Sequence, residues 1–391
     1  MALRWNIDQG LEKRRKGVTL VIMAKKKLAR GKTERRKIAK WALPILIAAV
    51  FGLFAGVAII FWPKKIAKEI VTDLAPKTVT SKEALTAVVE KDDGPVTVLA
   101  FGDLLLDRYI KREIDRRGTD YTFKNIKEFL SGNNLVLANL EGSFTDYRPR
   151  PLNPDNTSFT FDPKLVSVLK ENNFNILSLA NNHVQDFGRE GFAQSQAYLD
   201  KAGISHFGDF YNQSPAIVED INGLKIAFIG YSEFGDPATA STIAKIKEVR
   251  SQTDYVVVYA HWGVEYQTTF WAGSQEKGRQ LIDAGADAVL GSHPHVVQPI
   301  EIYKDKPIFY SLGNFVFDQI SDDEVRHGLA VRLNFRRDKI EYELYSTEMK
   351  NFQVNLSGKE KNEEVLLWLS KKSIAPEDIK NQIKSGKFII E

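Results

Sequence analysis

The sequence predicts a layered α/β domain preceded by one N-terminal transmembrane helix. Three observations carry this. Residues 41–62 form a 22-residue run without a charge. Seven short apolar runs follow, each ending in polar residues, with helical stretches between several of them. Four of the six histidines fall at the ends of those runs.

The uncharged run, Trp41 to Trp62, reads WALPILIAAVFGLFAGVAIIFW. As a helix it would be about 33 Å long, enough to cross a hydrocarbon core of about 30 Å. Tryptophan at both ends suits the two membrane interfaces, and Pro44 lies in the first turn, where a missing N–H costs little. No small-residue cleavage site follows at Pro63-Lys64-Lys65, so the segment reads as an uncleaved anchor. Residues 1–40 carry 14 Lys and Arg against 3 Asp and Glu. Lysine and arginine before the span place the N-terminus in the cytoplasm and the remainder outside. Met23, followed by Ala24-Lys25, is an alternative start to Met1.

From Glu69 onward the balance reverses to a net charge of −10, so the basic tail adjoins an acidic body. That asymmetry argues against nucleic-acid binding by the main domain. With no cysteine in the chain, disulfides, thiolate metal sites and cysteine nucleophiles are excluded. Residues 63–94 are polar and mixed, and read as an extracytoplasmic stem.

The apolar runs are VTVLAFGD, NLVLANLEG, FNILSLANNH, KIAFIGYSE, DYVVVYAHWG, ADAVLGSHPH and KPIFYSLGN. Near-continuous apolar strands alternating with helices (162–172, 189–202 and 274–284) indicate sheets covered on both faces. Residues 328–335 and 339–345 alternate as strands of a sheet margin. A charged, weakly helical extension is expected over 351–391.

In open α/β sheets, ligands collect where strands run into loops. These ends carry Asp103, Asn139, Glu141, Asn181, Asn182, His183, His261, Glu265, His293 and His295. A single histidine is usually a hydrogen-bonded core residue; four at equivalent ends beside carboxylates and amides point to a metal. Imidazole, carboxylate and amide donors without thiolate suit Zn²⁺, Mn²⁺ or Fe in a site of catalytic type. No Gly-x-Gly-x-x-Gly, Gly-Lys-Ser/Thr or Gly-x-Ser-x-Gly string is present, which disfavours nucleotide-binding enzymes and nucleophile-elbow hydrolases. The segment from Asp107 to Arg117 reads as a basic helix with a solvated face. Arg108, nearest the site, is the one placed to clamp a carboxylate or phosphate.

Six strings in this order make a resemblance specific. They are Gly102-Asp103, Ala138-Asn139-Leu140-Glu141, Ala180-Asn181-Asn182-His183 with Asp186 and Gly188, His261-Trp262-Gly263 with Glu265-Tyr266, His293-Pro294-His295, and Tyr310-Ser311-Leu312-Gly313-Asn314-Phe315. Residues 96–335 thereby resemble the CapA family of poly-γ-glutamate capsule proteins, which is similar to the calcineurin-like metallophosphatases. The resemblance implies a four-layer α/β/β/α sandwich over 95–350 with a site for one or two divalent ions. It implies that Asp103 binds a first metal, Glu141 takes the bridging place, Asn182, His261 and His293 hold a second, and His295 returns to the first. His183 would face the substrate as an acid or oxyanion donor, oriented by Asp186. Two departures stand out. Leu105 occupies a position where metallophosphatases carry histidine, and Glu141 replaces their usual aspartate.

The resulting expectation is a cell-membrane protein with a metal-dependent hydrolase domain outside the membrane, acting on an anionic capsule or wall polymer such as poly-γ-glutamate. Membrane synthase subunits are expected partners. A phosphoesterase, or a non-catalytic subunit that binds and guides polymer, are the competing readings. The topology has a direct check. Protease added to intact cells should digest the domain and leave a small basic fragment in the membrane, whereas full protection of residues 95–391 would contradict it.

Overall fold

The computed structural model describes residues 94–146, 156–236 and 238–390. The expected tail, span and nearly all of the stem lie outside the described residues. Among the described residues no helix is long and apolar enough to cross a membrane.

The chain first lays down β1 (Val96–Leu104), β2 (Leu135–Leu140), a short pair β3 (Ser143–Phe144) and β4 (Thr160–Phe161), then β5 (Ile176–Ser178) and β6 (Ser205–Phe207). It next forms β7 (Ile217–Ile221), β8 (Leu224–Ser232), β9 (Tyr255–His261), β10 (Ala288–Ser292), β11 (Ile300–Tyr303) and β12 (Lys306–Phe309). It closes with β13 (Asn314–Val316), β14 (His327–Phe335), β15 (Ile340–Lys350), β16 (Gln353–Leu356) and β17 (Lys387–Ile390). The first sheet runs β16-β15-β14-β1-β2-β5-β6, with β13 added beside β1 and β17 beside β15. The second runs β11-β12-β10-β9-β8-β7. Strands β1, β2, β5 and β6 are mutually parallel, as are β8, β9, β10 and β12.

The side-chain parity explains why the strands read as continuous apolar runs. Along β1, Val96, Val98 and Ala100 join a core shared with Ile226, Phe228, Val257, Tyr259 and Leu290 of the second sheet. Their neighbours Leu99 and Phe101 point the other way, into a core with Ile110, Ile114, Leu165 and Leu199 of the covering helices. The second sheet repeats the arrangement: Ala227, Ile229, Val256, Val258 and Val289 face outward onto Ile246, Leu281 and Ile282. Successive strand residues point to opposite faces, so a strand buried on both must be apolar throughout. The result is a mixed α/β sandwich, two sheets face to face with helices against their outer faces.

The C-terminal stretch is a working part of this sandwich. Strands β16 and β17 both pair with β15. Leu366, Leu369, Ile379, Ile383 and Phe388 from the stretch enter the core between the sheets. Their spacing places one apolar stripe on each of the helices Lys359–Lys372 and Glu377–Lys384, diluted by the lysines and glutamates around it.

The end of β1 pairs irregularly with both of its neighbours. Its register with β2 shifts between Ala100 and Asp103, and its register with β13 shifts between Asp103 and Leu104. Such irregularities re-aim a side chain at a strand end. Gly102 makes the close approach of β13 feasible: a Cβ there would sit 1.8 Å from the Gly313 carbonyl oxygen, an atom that accepts the Asp103 N–H at 3.1 Å. Gly102→Ala must therefore push the 312–314 segment away. It is expected to lower unfolding free energy by about 1–3 kcal/mol or more, as overpacking does. An unchanged urea midpoint in the full-length protein would contradict that packing.

Candidate metal centre

Strands β1, β2, β9 and β10, together with the loop after β5, deliver their C-terminal ends to one place. Register already brings Asp103 level with both Asn139 and Asn314 in the first sheet, and His261 level with Ser232 and Ser292 in the second. Across the two sheets, the His293 backbone N–H donates to Asp103 Oδ2 at 3.1 Å.

Asp103, Glu141 and His295 converge most closely: each offers a ligand atom, and the three atoms lie within 4.8 Å of one another. All three side chains are buried. Asn139, itself fully buried, ties the two carboxylates together by donating from Nδ2 to Asp103 Oδ1 at 2.8 Å and Glu141 Oε2 at 3.4 Å. The same Nδ2 lies 3.3 Å from His261 Nδ1, so three neighbours share its two hydrogens. Asn139 Oδ1 accepts from Asn181 Nδ2 at 3.0 Å, while Asn181 Oδ1 accepts the His183 N–H at 3.0 Å. A chain of amides thus links the carboxylate pair to the loop after β5.

The histidines surround this pair. His295 Nδ1 lies 3.3 Å from Asp103 Oδ2 and 2.9 Å from Asn314 Oδ1, and its Nε2 lies 3.9 Å from Glu141 Oε1. His261 contacts Ser292 Oγ through Nδ1 and Asn182 Oδ1 through Nε2, both at 2.8 Å. The His293 ring centroid is 4.9 Å from that of His261. Both His293 and His295 have positive φ, 97° and 61°, a region costly for residues with a Cβ and common at functional sites. His183 stands on the other side, with Nδ1 2.9 Å from Asp186 Oδ2 and Nε2 3.9 Å from Glu141 Oε1.

The electrostatics divide the two carboxylates. Burial opposes ionisation of Asp103, but the His295 contact, the imidazoles and the Asn139 hydrogen bond outweigh it and hold the group well below the usual range. Burial pushes Glu141 well above the usual carboxylate range, and the adjacent Asp103 charge pushes it further. His261 is pushed well down by burial and by His293, and His293 is lowered to about 4 by burial and His295. Both imidazoles are therefore neutral lone-pair donors near pH 7.

Two buried polar atoms at the centre, Glu141 Oε1 and His293 Nδ1, have no hydrogen-bond partner among the described residues. Buried polar atoms are otherwise nearly always satisfied. An electron-rich cluster with an oxygen and a nitrogen that no described residue satisfies, and with one carboxylate pushed toward its protonated form by burial and its neighbour's charge, fits a divalent cation. Oxygen and imidazole donors of this kind suit Mn, Zn or Fe alike.

The structure thus gathers Asp103, Glu141, Asn182, His183, His261, His293 and His295, with Asp186 behind His183. Leu105, two residues after Asp103, is fully buried in the outer core and brings no ligand. Arg108 lies against the rings of Phe159 and Phe317, and its guanidinium is ion-paired with Asp318. The other cations of its helix (Arg108–Arg117) have local partners: Lys111 pairs with Asp115, and Arg112, Arg116 and Arg117 share the buried Glu113. Sequence reasoning missed Ser292, Phe234, Phe159, Phe317 and Asp318. Ser292 was visible beside His293. Phe234, 39% exposed with its ring centroid 4.5 Å from that of His293, carried no local signal, and neither did the other three.

Residues 97–319 match the family model for the bacterial capsule synthesis protein PGA_cap. The capsule biosynthesis protein CapA of Bacillus anthracis is 30% identical over 269 residues, covering 63% of this chain and 66% of that protein. The PGA biosynthesis protein CapA of Bacillus subtilis is 32% identical over 236 residues, covering 56% and 62%. A probable polyglutamine synthesis accessory protein of Mycobacterium tuberculosis is 28% identical over 220 residues, covering 47% and 56%. The chain therefore spans somewhat less than two thirds of the length of these relatives. Asp103, Glu141, Asn182, His183, His261, His293 and His295 all fall inside the matched span, and the chain belongs to the CapA family of bacterial capsule synthesis proteins, within the metallophosphatase-like superfamily.

Proposed function

We propose that this protein is a membrane-tethered, cation-dependent hydrolase that acts outside the membrane on an anionic polymer of the poly-γ-glutamate type. The observation that carries the reading is the buried Asp103–Glu141–His295 convergence with its unpartnered Glu141 oxygen, faced by the His183–Asp186 pair. The polymer follows from relatives named for capsule, PGA and polyglutamine synthesis, and membrane synthase subunits are the partners such a role calls for. The anchor follows from residues 41–62 of the sequence.

Asp103, Glu141 and His295 would hold a first ion, and Asn182, His261 and His293 a second where two bind. A bound ion supplies Lewis-acid polarisation of the group to be cleaved. The chain's own residues do the rest. Asp186 accepts from His183 Nδ1, which sets the tautomer and leaves Nε2 on the cluster side to give or take a proton at the reacting group. The same Asp186 oxygen accepts the Phe159 N–H at 2.8 Å, and the Phe159 ring lies 4.1 Å from the His183 ring, so base and orienting carboxylate are held as a unit. Asn139 fixes both carboxylates in register, and burial keeps bulk water from competing for them.

A second reading, a non-catalytic subunit that binds and guides polymer, is favoured by Leu105, because a strand end without its imidazole weakens the first ion position. A third, hydrolysis of phosphate esters, follows from the superfamily. Parallel assays of the full-length protein on a phosphomonoester and on poly-γ-glutamate separate all three. The expected result is polymer cleavage that requires metal. His183→Ala should keep its metal and melting temperature while losing about 10²–10⁴-fold in rate, the usual contribution of a positioned acid or base. His295→Ala should lose metal and rate together. Polymer bound but never cut, or cleavage of the phosphomonoester alone, would overturn the reading.

A further inference from the structure

Arg108 is held in an unusual way. It opens its helix at φ 52°, with its own N–H donating to Asp107 Oδ1 at 2.7 Å, so its backbone is committed before its side chain does anything. The guanidinium carbon lies 5.0 Å from the Phe159 ring centroid and 5.4 Å from that of Phe317. Phe159 in turn packs on His183, and Phe317 lies 4.6 Å, centroid to centroid, from His295. The cation is therefore one aromatic ring away from the cluster along two separate paths.

Its hydrogen bonding is half complete. Nη2 is paired with Asp318 Oδ1, whereas Nε is buried and has no hydrogen-bond partner among the described residues. The second Asp318 oxygen goes to the Tyr109 N–H at 3.3 Å, a long contact. An arginine fork presents Nε–H and Nη2–H side by side, and a carboxylate seated on it uses both. Asp318 uses one. It belongs to a short segment after β13 whose neighbour also approaches the cluster: Gln319 donates from Nε2 to the Tyr266 hydroxyl at 2.8 Å, and the Tyr266 ring lies 6.0 Å from the His295 ring.

We infer that the Nε–Nη2 edge of Arg108 is the seat for a carboxylate of the substrate, and that Asp318 is an internal stand-in which that carboxylate displaces. The inference deepens the polymer reading and rests on it for the identity of the ligand, though not for the existence of the seat. A carboxylate is favoured over a phosphate because the group now resting there is a carboxylate. Asp318 then sets specificity: it keeps the cation from weakly bound anions, and a ligand must offer both oxygens in the plane of the fork to replace it.

The test is binding, read without turnover. A γ-linked glutamate tetramer, its neutral amidated analogue, and glutarate are titrated by calorimetry into full-length wild-type protein, Asp318→Asn, Arg108→Gln and Arg108→Lys. Asp318→Asn is expected to bind both acids at least about fivefold tighter, and Arg108→Gln about tenfold weaker, the scale of a hydrogen bond between charged groups. Arg108→Lys keeps the charge without the fork and should also weaken binding. Asp318→Ser substitutes if Asp318→Asn does not fold. Tighter binding is not an outcome of losing a merely structural ion pair, which would lower melting temperature and leave affinity equal or worse; that result would overturn the seat. A response with glutarate and none with the tetramer would leave the seat standing and remove poly-γ-glutamate as its ligand.

Discussion

Two carboxylates buried beside each other govern this structure. Asp103 and Glu141 stand at the ends of adjacent parallel strands, share one asparagine amide, and are both removed from water. They cannot both be ionised there without positive charge. The surroundings resolve the conflict only in part: hydrogen bonds keep Asp103 charged, Glu141 is pushed to hold a proton, and burial keeps His261 and His293 neutral. What remains is a buried cluster rich in lone pairs and short of positive charge. A cation would favour ionised Glu141 and engage the oxygen and nitrogen that no described residue satisfies, which couples metal affinity to protonation.

The fold is what makes so costly a cluster stable. Each sheet spends its strand bodies on two-sided apolar packing and so leaves polar residues for the ends. The sandwich then sets the ends of one sheet against those of the other, close enough for the His293 backbone to bond Asp103. The irregular register at the end of β1, permitted by Gly102 against Gly313, turns Asp103 toward that meeting point. Asn314, on β13, then fixes His295 from the far side. Backbone strain at His293 and His295 is tolerated because packing on every side determines their positions.

Much of this was legible in the sequence for one reason: strands buried on both faces read as apolar runs, and each run marks its own end. Asp103, Glu141, Asn182, His183, His261, His293 and His295 sit at or just past such ends, so a list of ends is nearly a list of the cluster. Residues 351–391 were harder. Their apolar positions, among them Leu366, Leu369, Ile379 and Ile383, are sparse among lysines and glutamates, and only the core between the two sheets gives them partners. Arg108 shows the other limit. Its position near the site was visible, but Asp318, Phe159 and Phe317 come from distant segments that only tertiary packing brings to it. The hub role of Asn139 depends on which amide hydrogen meets which carboxylate, which no spacing encodes.

The central claim is that the Asp103–Glu141–His295 cluster is a cation site. X-ray anomalous scattering from crystals grown with Mn²⁺ tests it most directly. An anomalous peak is expected bonded to Asp103, Glu141 and His295, with Glu141 Oε1 among its ligands. A well-ordered cluster with no peak, in which Asp103 and Glu141 share a proton in the presence of excess metal, would contradict it.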